Sequence, residues 1–215
     1  MPLTVPPDRA GPAFDGSVEA FCDAVASLTE WDLLGSSRCH GWTRLDLAVH
    51  VVAGWQEMLG GFVTVVDDEP TVDAASYWPA FADLTSGSDR VEVLMALRRR
   101  AAAYLRPSSL LAQLREVADA VLSASRTIRA QPCRWQGKVF APGDFLAIWA
   151  VENVVHHLDL LVDDPPPSSG LALARATIEA LAAGPLPVEW TDEQAVLIGT
   201  GRIAVPHDAG VIGAR

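Results

Sequence analysis

The chain has 215 residues, half of them apolar, with a formal net charge of −11 at pH 7 and three cysteines. That length allows one domain with a sizeable core, or one domain with a small appendage. Lys138 is the only lysine and Arg98-Arg99-Arg100 the only basic cluster, which argues against a phosphate-neutralising stripe for nucleic acid, and no apolar run of 18 residues escapes charges or breakers, which argues against a membrane span.

The opening residues, Met1-Pro-Leu-Thr-Val-Pro-Pro-Asp-Arg9, lack the basic and long apolar regions of a signal peptide, so a cytoplasmic protein is expected. Cys22, Cys39 and Cys133 are odd in number and form no Cys-x-x-Cys. They predict neither a disulfide framework nor a cysteine-based structural zinc site. Each reads as a small buried hydrophobe, with Cys39, in a polar turn, the one candidate for a reactive thiol. The bias to Ala, Arg, Val, Asp and Pro suggests a GC-rich source genome.

In chain order, residues 1–14 are rich in Pro and Gly and predict an irregular arm. A first helix is expected from Ser17 to Leu34, on the spacing of Val18, Phe21, Cys22, Val25 and Leu28. Gly35 to Gly41 reads as a loop. A second helix opens at Thr43, where Thr43-Arg-Leu-Asp46 has the form of a capping box, and runs to about Val66. Asp46 also lies four residues before His50 and could orient it, but capping is the better reading. Residues 67–88 form an acidic, irregular connection whose spacing does not match a calcium loop. Helical patterning returns over Asp89–Leu105, breaks at Pro107 and resumes from Ser109 to about Ala130. Cys133 to Phe140 reads as a short hairpin or loop turning at Gly137, and Pro142 suits the first position of the last bundle helix. After the Pro165-Pro-Pro167 linker, Leu171–Ala183 reads as a helix closed by Gly184. Val188–Trp190 and Ala195–Val205 read as short strands turning at Gly199-Thr-Gly201.

The chemistry concentrates in Phe145–Val162. This run is apolar enough to be buried, yet it carries Glu152, His156 and His157. A spacing of four places Glu152 and His156 on one helix face, one turn apart. Unpaired burial of such groups is costly, and a metal ion is the simplest partner that satisfies both. His50, on another amphipathic helix, is a third candidate ligand. Two imidazoles and a carboxylate from two helices describe an open metal site in a helical bundle, suited to zinc but also to nickel or iron. The competing reading is a local helical hydrogen bond beside a core histidine. His157 points about 140° away from Glu152 on an ideal helix. It should bond elsewhere, to Asp159 or a neighbouring carbonyl. Trp42, Trp55 and Trp149 could line a pocket, although core packing is their default.

Two motifs, Cys39-x-Gly-Trp-Thr-x-x-Asp-Leu-Ala-x-His50 and Glu152-x-x-x-His156-His157-x-Asp159-Leu160, together resemble the mycothiol-dependent maleylpyruvate isomerase N-terminal domain family, within the wider DinB-like superfamily of four-helix metalloproteins. The resemblance covers about residues 15–163. It implies metal ligation, usually by zinc, at His50, Glu152 and His156, with the open position taken by water or a thiolate. The family's isomerase has a larger C-terminal domain that contributes basic groups. Here about fifty residues follow the linker, with Arg175 and Arg202 as the basic groups available.

The expected fold is therefore mainly α: a DinB-like four-helix bundle over residues 15–163 with a small C-terminal α+β extension over 168–215. The leading functional reading is a metal-dependent isomerase or S-transferase that uses a small-molecule thiol, with mycothiol inferred from the resemblance and the composition. Metal-assisted hydrolysis and non-catalytic metal or small-molecule binding are the alternatives.

Overall fold

The computed structural model describes residues 1–85, 87, 89–127 and 131–204. It is mainly helical: α1 (Pro7–Ser27), α2 (Glu30–Leu34), α3 (Arg44–Val63), α4 (Tyr77–Thr85), α5 (Arg90–Ala101), α6 (Leu110–Arg126), α7 (Pro142–Asp159), α8 (Ser168–Leu181) and α9 (Asp192–Gly199). One antiparallel pair, β1 (Cys133–Trp135) and β2 (Lys138–Phe140), precedes α7. Among the described residues no helix is long and apolar enough to cross a membrane.

α1 packs on α7 and α6, and α3 packs on α6 and α7, which closes a four-helix bundle. α7 is buried along nearly its whole length, with Phe145, Leu146, Ile148 and Val154 in the core. α1, α3 and α6 each turn one apolar stripe inward, as surface helices do. α8 covers α7 and α1 from outside, and α9 packs on α8.

The N-terminal arm is a correction. Pro7 starts α1, because its fixed φ and missing N–H suit a first helical turn. The buried stripe then begins at Ala10, Ala13 and Phe14, inside the stretch expected to be irregular. The first helix also ends earlier than expected. Thr29 caps a separate short helix through Asp32, so the single helix over Ser17–Leu34 becomes α1 and α2. The acidic connection contains α4, which carries Tyr77 and Trp78.

The Thr43–Asp46 capping box is present in both directions, at 3.0 Å for Asp46 N–H to Thr43 Oγ1 and 2.9 Å for Thr43 N–H to Asp46 Oδ2, so Asp46 caps α3 rather than orienting His50. The hairpin turns at Gln136-Gly137, both at positive φ (47° and 72°), the geometry of the tight turn that matches strand twist. The predicted C-terminal strands are the second correction. Thr191 and Gln194 form a capping box that opens α9, and Ala195–Ile198 is its buried face. A continuous apolar run of four fits a buried helix as well as a strand. The expected strand's last residue, Val205, and the tail beyond it lie outside the described residues.

The N-terminal segment docks on the start of α7. Val5 is buried, and its N–H donates to Asp144 Oδ1 at 2.7 Å. A methyl group at Gly143 would overlap the Val5 carbonyl oxygen and crowd the Pro6–Pro7 backbone. Gly143→Ala should therefore destabilise the protein by roughly 1–3 kcal/mol, because backbone rather than a flexible side chain must move; an unchanged denaturant midpoint would refute this packing.

Burial pushes the Asp144 carboxyl up from 3.8 to about 6, against the hydrogen bond from Val5. A raised carboxyl pKa means the folded state binds the proton more tightly than the unfolded chain. Its contribution to stability is thus present below about pH 4 and lost as pH rises through 6. Relative to Asp144→Asn, the native protein should lose stability across that window, as read by thermal melts at stepped pH. Parallel pH dependence in the two proteins would count against it.

Candidate functional site

His50 sits on α3 and Glu152 and His156 on α7, and the structure brings the three to one cavity of about 150 Å³. His156 Nε2 lies 3.1 Å from Glu152 Oε2, one helical turn away. The His50 ring meets the His156 ring edge-on, centroids 5.0 Å apart, and Trp42 backs His50 at 5.1 Å. His157, 3% exposed, turns away and meets the Asp164 carbonyl at 2.8 Å through Nε2. A neighbouring carbonyl is thus its partner, not Asp159.

Asp159 instead serves His156. Its carboxylate is fully buried and lies 3.2 Å from His156 Nδ1. It also accepts from Arg202 Nε at 3.3 Å, from Arg202 Nη2 at 3.1 Å and from the Cys39 thiol at 3.3 Å. Burial would raise the Asp159 pKa, but these donors, led by His156 and Arg202, hold it down to about 2. An ionised Asp159 keeps a proton on His156 Nδ1, which leaves Nε2 facing Glu152 and the cavity. Burial alone would lower the His156 pKa, yet its bonds to Asp159, Cys39 and Glu152 raise it well above the ordinary value. Burial also works to raise Glu152, and His156 and His50 reverse it. His50 keeps an exposed face toward the cavity. The protein around that ring still lowers its pKa, through desolvation and the neighbouring His156, and solvent on the open side limits the extent.

The donor types of His50, Glu152 and His156 are those a divalent cation takes, although their ligand atoms do not all lie within 4.8 Å of one another. The donor set is mixed imidazole and carboxylate, and the second nitrogen of His156 has the carboxylate partner that a metal-bound imidazole requires. Among the described residues, the only group whose ligand atoms all lie within 4.8 Å of one another is another one: Cys39, His156 and Asp159. Both Asp159 oxygens already receive the Arg202 guanidinium, so a cation beside them would face a positive charge.

The family model for the mycothiol maleylpyruvate isomerase N-terminal domain matches residues 14–161. The chain belongs to that family. The matched span contains Cys39, His50, Glu152, His156 and Asp159, whereas Arg202 and the helices α8 and α9 lie beyond it. No curated protein and no solved structure gives a significant match.

Residue spacing missed Asp159 as the partner of His156, although a carboxylate three residues on is on the same face. It also missed Arg202, for which no local signal exists, because the contact spans 43 residues. Tyr77 and Trp135, on α4 and β1, complete the cavity wall and were equally hidden.

Arg202→Ala removes one of the two cationic partners of a buried carboxylate. Arg202 is itself only 28% exposed, so the loss should reach about 3 kcal/mol. Arg115→Ala, which removes the exposed pair with Asp23, should cost under about 1 kcal/mol. Equal costs in urea denaturation would overturn the distinction.

Proposed function

We propose that this protein binds one divalent metal ion, zinc first among the candidates, and uses it with a low-molecular-weight thiol, mycothiol, in an isomerase or S-transferase reaction. The observation that carries the reading is His156, held between Glu152 on one nitrogen and buried Asp159 on the other, with His50 against its ring. Membership of a mycothiol-associated family supports the choice of thiol.

His50, Glu152 and His156 would hold the ion. A divalent ion bound there supplies Lewis acidity and lowers the pKa of a thiol presented to it. The chain's own residues do the rest. Asp159 holds the proton on His156 Nδ1 and so fixes the tautomer that faces the cavity. Arg202 holds Asp159 ionised and in place. Tyr77, Trp135 and Trp149 give the cavity an aromatic wall. Beside it, sharing Ala53, Glu57 and Arg100, lies a second and more polar cleft of about 470 Å³ lined by Gln56, Tyr104 and Gln113. That cleft suits the hydroxyl- and amide-rich body of a thiol cofactor.

Elemental analysis of protein purified without chelators should give about one metal per chain. His50→Ala, Glu152→Ala and His156→Ala should each abolish tight zinc binding, while His157→Ala keeps it. Zinc retained by His156→Ala and lost from His157→Ala would sink the assignment.

Cobalt-substituted protein should gain a sulfur-to-metal charge-transfer band when mycothiol is added. A cobalt spectrum that ignores millimolar thiol but responds to a chelator would leave a hydrolase or a non-catalytic binding protein as the better account.

A further inference from the structure

Two cavities meet beside α3. The one next to His50 and Glu152, of about 150 Å³, and the polar cleft, of about 470 Å³, share three residues. These are Ala53 and Glu57 from α3 and Arg100 from α5. The shared wall thus carries one carboxylate and one guanidinium. Among the described residues, neither side chain has an ion-pair or hydrogen-bond partner, and the two do not pair with each other. The neighbouring Arg98, by contrast, donates to the Gly41 carbonyl at 2.9 Å. Both charges are felt inside the smaller cavity. After burial and His156, the Arg100 charge adds to the lowering of the His50 pKa. After burial and Glu152, the Glu57 charge adds to the raising of the Tyr77 pKa.

Glu57 and Arg100 are exposed, so water solvates both while the junction is open. A ligand seated there displaces that water, and a charge it leaves unmatched is then costly. An anionic ligand satisfies Arg100 but meets Glu57 and Glu152. A cationic ligand satisfies Glu57 but meets Arg100. An uncharged one leaves both unmatched. A ligand that carries a carboxylate and an ammonium matches both. The inner cavity sets the rest of the molecule. Tyr77, Phe81, Trp135, Ile148 and Trp149 line it, so the part of the ligand that enters there is apolar.

We propose that this junction binds a small zwitterion of the amino acid class, with its carboxylate on Arg100, its ammonium on Glu57 and an apolar side chain in the inner cavity. The guanidinium donates to the carboxylate, for which its fork of N–H groups is suited. The Glu57 carboxylate accepts from the ammonium. The inference names the charged head that the second substrate of the proposed reaction carries. It rests on the joined cavities being the reaction site, and not on a bound metal.

The test uses four probes that share one branched carbon skeleton and differ in charge: L-leucine, 4-methylpentanoate, 3-methylbutylamine and 3-methylbutan-1-ol. Dissociation constants come from ligand-observed NMR at pH 7, on the protein as purified and again after chelator treatment. Leucine should bind at least roughly tenfold more tightly than each of the other three in both preparations, the worth of one charge-assisted hydrogen bond. Arg100→Gln should erase the advantage of leucine over 3-methylbutylamine and keep its advantage over 4-methylpentanoate. Glu57→Gln should do the reverse. Thermal melts establish that both variants are folded. A structural role for either residue would weaken all four probes alike and would not give this crosswise pattern. Leucine that binds no more tightly than its analogues, absence of binding included, overturns the proposal. So does a preference that vanishes with the chelator, which marks chelation by a metal, or a preference indifferent to both substitutions. If zinc binding fails but the crosswise pattern holds, the metal reading falls and the junction stands. If zinc binds and the pattern is absent, the reverse is true.

Discussion

The carboxylate of Asp159 is the constraint on which the site depends. It lies at the C-terminal end of α7, where the helix dipole disfavours negative charge, and it has no solvent contact. A buried anion in that position persists only if donors surround it. They come from three parts of the chain: His156 from the same helix, Cys39 from the loop before α3, and Arg202 from just beyond α9. The backbone joins in, since Arg38 N–H donates to the Asp159 carbonyl at 2.9 Å. Satisfying one carboxylate therefore fixes the loop that leads to His50, the ring of His156 and the tail of the protein together.

α7 makes this possible because it is buried on all sides while carrying polar groups at intervals. Each such group is tied to a different element. Asp144 holds the N-terminal segment, and Asn153 accepts from Trp55 Nε1 at 2.9 Å and donates to Ser17 at 3.0 Å, so it links α3 to α1. His157 holds the chain as it leaves the helix. A wholly apolar α7 would bury as much area and leave its rotation in the bundle less defined. The polar groups set its register, and that register turns Glu152 and His156 toward His50.

The bundle was legible where a local signal exists. The capping box at Thr43, the proline that opens α7 and the Gln136-Gly137 turn each dictate structure through their own backbone chemistry. The same signal was present at Thr29 and Thr191, where a helical and a strand reading of the flanking apolar residues took precedence and failed. The pairing of Glu152 with His156 followed from helical spacing alone, while the approach of His50 needed the family resemblance. The Asp159–Arg202 contact and the Tyr77–Trp135–Trp149 wall were not legible. They join segments far apart in sequence, and nothing in the residues near Arg202 distinguishes it from a surface arginine.

Arg175 and Arg202, the arginines beyond the linker among the described residues, bear on what this segment can contribute. Arg175 spends its guanidinium on Glu179, Asp192 and the carbonyls of Pro187 and Trp190, which fastens α9 to α8. Arg202 spends its own on Asp159. Neither is left to meet a substrate, so both act on the site through position and not through contact. Arg100, on α5, lines the cavity together with Glu57 and Glu152. The arginine that a ligand in this cavity meets therefore belongs to the bundle and not to the segment beyond the linker.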